Sequence, residues 1–90
     1  MEIECDPIKR AETLSERGLD MLDAKHVLEG PTLTYSDDRR DYGEVRFITI
    51  GKLLGRMMVV VWTMRKSIYR IISMRKANDR EQAEYGDRLD

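Results

Sequence analysis

The residues best equipped for chemistry are cations gathered in one short stretch: Arg65, Lys66, Arg70, Arg75, Lys76 and Arg80. A guanidinium is planar and permanently charged, and its forked N–H groups match phosphate oxygens two at a time. Such contacts give affinity for a polyanion without reading its sequence. Tyr69 and Tyr85 lie close to these cations in the chain. Each offers a ring on which a base could stack, or is an ordinary half-buried aromatic. Other chemistries find little to work with. His26, the only histidine, sits between Lys25 and Val27 and reads as a helix-boundary residue rather than a ligand. Cys5, the only cysteine, excludes an internal disulfide and a thiolate cluster. Asp37, Asp38, Asp41 and Glu44 lack the spacing of a calcium loop and read as a solvated loop. Neither a Gly-rich phosphate loop nor a nucleophile elbow is present. No metal and no cofactor are expected.

With such residues RNA could be cleaved without a metal. A base takes the 2′-hydroxyl proton, the 2′ oxygen attacks the adjacent phosphorus, and cations stabilise the charge that builds on the phosphoryl oxygens. Arginine suits the electrostatic part. Free Lys and Tyr titrate near 10 and free Glu near 4, so the group that moves the proton needs a shifted pKa.

The chain that positions these residues is short. Ninety residues suit one domain with a small core, here taken as 1–90. Net charge is −1, but it is unevenly spread: residues 1–44 sum to −6 and residues 65–80 to +5. A basic segment joined to an acidic half points to an anionic partner more than the total does. The acidic start, Glu2, Glu4 and Asp6, is unlike an export signal, so the cytoplasm is expected. The longest apolar run, Met57 to Trp62, is too short to span a membrane, and no membrane partner is expected.

Alternation at 2–5 predicts a short strand. Asp6-Pro7 starts a helix with Ile8, Ala11 and Leu14 as its apolar stripe, ended by Gly18. Asp20 caps a second helix that buries Met21, Ala24, Val27 and Leu28 and stops at Gly30-Pro31. A short strand at 32–35 and a polar loop from Asp37 to Gly43 follow. Val45 to Ile50 and Arg56 to Met64 read as an antiparallel hairpin joined through Gly51 and Gly55. Tyr69 to Lys76 forms a further strand after a tight connection at Lys66-Ser67. Asn78 and Glu81 fit a capping box that opens a last helix, ending near Tyr85. The fold class is α+β: an antiparallel sheet in two layers, with two N-terminal helices on one face and a C-terminal helix.

Several segments together resemble the BrnT family of toxins, from BrnT–BrnA type II toxin–antitoxin systems. They are Cys5-Asp6-Pro7 with Lys9, Gly18, Ala24, the loop Asp37 through Tyr42-Gly43-Glu44 with Arg46, and Arg70-Ile71-Ile72-Ser73-Met74-Arg75-Lys76-Ala77 followed by Glu81 and Tyr85. The resemblance implies a RelE-like fold and endonucleolytic cleavage of RNA that inhibits translation. It also implies a ribbon-helix-helix antitoxin of the BrnA kind, with operator DNA reached only through that partner. Catalysis is expected of Arg75, Arg70, Lys76, Arg65, Tyr85 and Glu81. RNA binding is expected of Lys9, Arg17, Lys66, Arg80 and Tyr69. The chain departs from the family pattern at Cys5, Thr13, Glu16, Arg17 and Met21, where Arg17 replaces a histidine. That leaves an alternative: a catalytically weak homologue that acts mainly by binding its antitoxin.

Overall fold

The computed structural model describes residues 1–89. The chain runs β1 (Ile3–Cys5), α1 (Pro7–Arg17), a 3-10 turn (Met21–Asp23), α2 (Ala24–Glu29), β2 (Thr32–Ser36), β3 (Phe47–Leu53), β4 (Arg56–Arg65), β5 (Ile68–Lys76), α3 (Asp79–Tyr85) and a second 3-10 turn (Gly86–Arg88). The fold class is α+β. Strands β2 to β5 form an antiparallel meander, and β1 adds to its far edge parallel to β5, giving the order β1-β5-β4-β3-β2. The sheet is therefore mixed rather than purely antiparallel. The helical connection from β1 to β2 crosses the whole sheet, so β1 arrives on β5 in the same direction.

Local chemistry explains most boundaries. Asp6 accepts the Ile8 N–H at 2.8 Å with Pro7 in the first turn, and Gly18 ends α1 in the left-handed conformation at φ 68°. Asp20 accepts the Leu22 N–H at 3.0 Å. The segment it caps begins as a 3-10 turn and becomes α-helical only at Ala24. The β3–β4 and β4–β5 hairpins are closed by the residue pairs Leu54-Gly55 and Lys66-Ser67, all four with positive φ, the twist that two-residue hairpins require.

Alternation along the strands builds two cores. Met58, Val60, Ile71 and Met74 face α2 and the turns around it, packing with Leu19, Met21, Ala24 and Val27. On the other face Ile48, Ile50, Met57, Val59 and Val61 pack with Ala77 and Leu89 from the C-terminal segment, with Ile72 and Tyr85 at the margin. Helices thus lie on both faces, not in two layers, because the strands carry apolar side chains on both sides.

Two further expectations change. The apolar stripe of α1 faces solvent: Ile8 is 71% and Leu14 52% exposed. The helix is instead held by polar groups on its inner side. Arg10 forks onto Asp20 at 2.8 and 2.9 Å, Arg17 donates to the Met74 carbonyl at 2.8 Å, and the buried Thr13 hydroxyl lies 3.6 Å from the Met21 sulfur. Gly51 is not part of the hairpin connection but a buried residue inside β3. A Cβ there would stand 2.9 Å from Val27 Cγ1, 3.0 Å from Thr32 Cγ2 and 3.3 Å from the Val27 carbonyl oxygen. Glycine lets α2 press directly onto the sheet.

Gly51→Ala should therefore destabilise the fold by about 1–3 kcal/mol, since the backbone of α2 must move to admit the methyl group. A urea unfolding midpoint equal to the parent's would show that α2 can slide away at no cost.

Candidate active site

The strand register defines the site. Tyr35, Ile48, Val61 and Ser73 are aligned across β2, β3, β4 and β5, and Leu33, Ile50, Val59 and Arg75 form the neighbouring row on the same face. At roughly 4.8 Å between strands, these rows run about 14 Å from β2 to β5. The C-terminal segment covers only part of this face. Left open is a cavity of about 280 Å³ with an apolar floor of Ile48, Val59 and Val61. One wall is Tyr35, Ser36, Asp37, Asp38 and Arg39; the other is Ser73, Arg75 and Glu81.

Each wall carries an arginine fixed by a carboxylate. On β5, Arg75 Nη1 and Nη2 donate to Glu81 Oε1 and Oε2 at 2.7 and 2.8 Å. Glu81 Oε1 also accepts the Asn78 N–H at 2.9 Å, while Asn78 accepts the Glu81 N–H at 2.8 Å. One carboxylate thus closes the capping box of α3 and ties that helix to β5. The Arg75 guanidinium is the main cause that holds the Glu81 pKa down at about 2. On the opposite wall Asp37, whose side chain is 1% exposed, accepts Arg39 Nε and Nη2 at 2.7 Å each and the Tyr42 hydroxyl at 3.1 Å. The Arg39 bonds, more than anything else, keep the Asp37 carboxyl well below the usual carboxylate range. Burial pushes the Tyr35 phenol up, helped by the Tyr85 hydroxyl and Glu81 and opposed by Arg39. Arg39 and Tyr35 in turn both act on the Arg75 charge, so the two walls sense each other.

The sequence-derived candidates do not all meet here. Arg75 and Glu81 line the cavity, and Tyr85 reaches it through Tyr35. Arg70 lies beside the β1 edge, 3.7 Å from Glu4. Arg65, at the end of β4, pairs with Glu44 at 3.0 Å. Lys76 ends β5 and opens toward Gly18, Leu19 and Arg56. Tyr69 is in an aromatic row with Trp62, at 4.9 Å between ring centres, and Trp62 stacks on Phe47; by register this row is on the opposite face. Arg17 is committed to the Met74 carbonyl, also behind the sheet. Lys9, Lys66 and Arg80 are exposed at separate places: on α1, in the β4–β5 turn and on α3. The +5 segment is therefore not one patch: Lys76 registers on the α2 face, and Arg65, Arg70 and Arg75 share the other face but are spread along the length of the strands.

Sequence reasoning missed Arg39, Asp37, Tyr35 and Ser73. Only the first two carried a signal, an acid and a base two residues apart in a loop otherwise read as solvated. That loop is cross-braced: Glu44 pairs with Arg46 and Arg65 at 3.0 Å each, and the Arg46 guanidinium lies 4.1 Å from the centre of the Tyr42 ring. Among the described residues, no group of three or more His, Cys, Asp or Glu side chains is placed to hold a metal.

The Glu81 carboxylate carries a sign-specific pH dependence. Its ordinary pKa of 4.5 is depressed in the folded chain. Its stabilisation is therefore complete above pH 4.5 and is lost as pH falls toward 2. Glu81→Gln keeps a capping-box side chain but no charge. The parent's advantage in urea midpoint over this variant should shrink between pH 4.5 and 2. A pH-independent gap would assign the contribution to packing.

No curated protein matches the chain. Residues 6–81 match a family described as "Ribonuclease toxin, BrnT, of type II toxin-antitoxin system". The match spans both walls of the cavity, from the Asp37–Arg39 loop to Arg75 and Glu81. The chain belongs to the BrnT family of ribonuclease toxins.

Proposed function

We propose that this cavity cleaves RNA by metal-free attack of a 2′-hydroxyl on the adjacent phosphorus, which breaks the P–O5′ bond, closes a 2′,3′-cyclic phosphate and releases a 5′-hydroxyl that takes its proton from water. The observation that carries the reading is the pair of arginine–carboxylate units facing each other over an apolar floor. A phosphodiester entering between them meets cations from two sides, and a nucleoside rests on Ile48, Val59 and Val61. Arg75 stabilises the charge that develops on the phosphoryl oxygens. Glu81 has two tasks. While paired, it holds Arg75 in place. When a phosphate competes for the guanidinium, Glu81 loses the bonds that depress its pKa and becomes a stronger proton acceptor beside the reacting 2′-hydroxyl. Tyr85 and Tyr35 supply hydroxyl groups at the same margin. Two of the three carboxylates on the walls, Glu81 and Asp37, are occupied by guanidinium groups, which favours arginine over a divalent ion as the electrostatic catalyst.

The departures from the family pattern support an active site rather than a degraded one. Thr13, Arg17 and Met21 are engaged on the side of the sheet covered by α1 and α2, Cys5 packs against that core, and Glu16 is exposed on α1. None of them lines the cavity. Inhibition of translation, a cytoplasmic site of action and a BrnA-like ribbon-helix-helix antitoxin that alone contacts operator DNA belong to this proposal through the family, whose systems pair toxin with antitoxin.

Purified protein should cleave single-stranded RNA in excess EDTA. Arg75→Ala should lower the rate by at least ~10-fold with an unchanged circular dichroism spectrum, the cost of removing a donor from a developing charge. Activity that disappears on chelation and returns with one divalent ion would overturn the proposal, as would a folded Arg75→Ala protein cleaving at the parent's rate.

A further inference from the structure

The two arginines of the cavity are held in different ways. Glu81 takes Arg75 end-on, through Nη1 and Nη2, so the fork best suited to a phosphate is already filled. Asp37 takes Arg39 from the side, through Nε and Nη2. A guanidinium has five N–H groups, and this side-on grip consumes two of them. Among the described residues no second carboxylate pairs with Arg39, and the Tyr42 hydroxyl adds only a minor contact, so no acid closes its Nη1–Nη2 end. The side chain is 67% exposed although its anchor is buried.

The anchor is unusually complete for a surface loop. Asp37 accepts three side-chain bonds and its own backbone N–H donates to the Arg46 carbonyl at 2.8 Å, so the loop closes on itself around the carboxylate. A free arginine loses rotamer freedom when it binds an anion, whereas this one has lost much of it already. The result is a fixed cationic fork standing across the apolar floor from Arg75.

We propose that Arg39 contacts substrate directly, binding a second phosphate of the RNA, and that Asp37 is the positioning residue that presents it. The inference rests on the reading of the cavity as an RNA site and names a residue of that site. In the sequence of events it implies, RNA is first captured at the open Arg39 fork. Its scissile phosphate then competes with Glu81 for Arg75.

The probe is a fluorescent single-stranded RNA with 2′-O-methyl groups, which binds but cannot undergo attack by its own 2′ oxygen. Anisotropy is measured at several salt concentrations, and cleavage of the unmodified strand is measured in parallel. Each phosphate contact on a single strand contributes about 0.7 to the slope of log K against log salt. Arg39→Ala should lower affinity and reduce that slope by about 0.7. Arg39→Lys should keep the slope and lose affinity, because the charge remains and the fork is gone. Asp37→Asn should also weaken binding, although it removes a negative charge from a site for a polyanion; a purely electrostatic role would strengthen it. Arg75→Ala is the reference. If Arg75→Ala impairs cleavage while Arg39→Ala binds and cleaves like the parent, Arg39 has no such role and the RNA site stands. If the parent neither binds nor cleaves RNA, both readings fall. Should Asp37→Asn unfold by circular dichroism, the Arg39→Lys and Arg39→Ala pair still decides the matter, because neither removes the buried carboxylate.

Discussion

One carboxylate, Glu81, joins three parts of this molecule. It caps α3 through the Asn78 N–H, fixes the Arg75 fork on β5, and forms the edge of the cavity between them. Each contact limits the others. The capping box sets where α3 begins, and α3 sets where the carboxylate can meet the strand. Arg75 in turn holds a helix of only seven residues with no fully buried side chain. Such a short helix has little stability of its own. It is retained by this ion pair, by Gln82 donating to the Ala77 carbonyl at 3.1 Å, and by Leu89 in the core beyond it. On the proposed mechanism, function and stability would compete for the same guanidinium, since a phosphate bound to it would loosen the bond between helix and sheet.

The second organising constraint is the period of the strands. A ten-residue β4 with Met57, Val59 and Val61 on one side and Met58 and Val60 on the other must be covered on both faces. The N-terminal helices bury the middle of one face, with the half-buried Phe47, Trp62 and Tyr69 row at its margin. The C-terminal segment is too short to cover the other, and the uncovered part is the cavity. β5 loses strict alternation where its register on β4 shifts between Val61 and Trp62, so Ile72 has no partner in the register. Ser73 and Arg75 then both register with the cavity face, while Ile71 and Met74 remain in the core behind it. The six basic residues close together in sequence do not converge because the extended strands spread Arg65, Arg70 and Arg75 along one face and turn Lys76 to the other.

Much of this was legible in the sequence where the cause is local. Asp6-Pro7, Asp20, Gly18 and the Asn78–Glu81 box placed the helix ends because capping is decided within four residues. Position-two alternation placed β3, β4 and β5 for similar reasons. Three features were not legible because their causes are long-range. Gly51 read as a turn residue, since nothing nearby shows that Val27 will press on it. Ile8 and Leu14 read as an inward stripe, but Arg10 and Arg17 find polar partners ten and 57 residues away and turn the helix the other way. Asp37 and Arg39 read as solvated loop charges, and only the return of the chain to Arg46 buries the carboxylate. For the site itself, Arg75, Glu81 and Tyr85 were named from the sequence, whereas the wall on β2 that completes the cavity was found only in the fold.

In the proposed reaction, arginines at this site would assist a 2′-hydroxyl in displacing the 5′ oxygen of the next nucleotide. Mass spectrometry of the RNA fragments tests it most directly. The expected products are a 2′,3′-cyclic phosphate on the upstream fragment and a 5′-hydroxyl on the downstream one, with no cleavage where a single 2′-deoxy residue precedes the scissile bond. A 5′-phosphate with a 3′-hydroxyl, or unimpaired cleavage after the deoxy residue, would mean that water attacks the phosphorus and would contradict it.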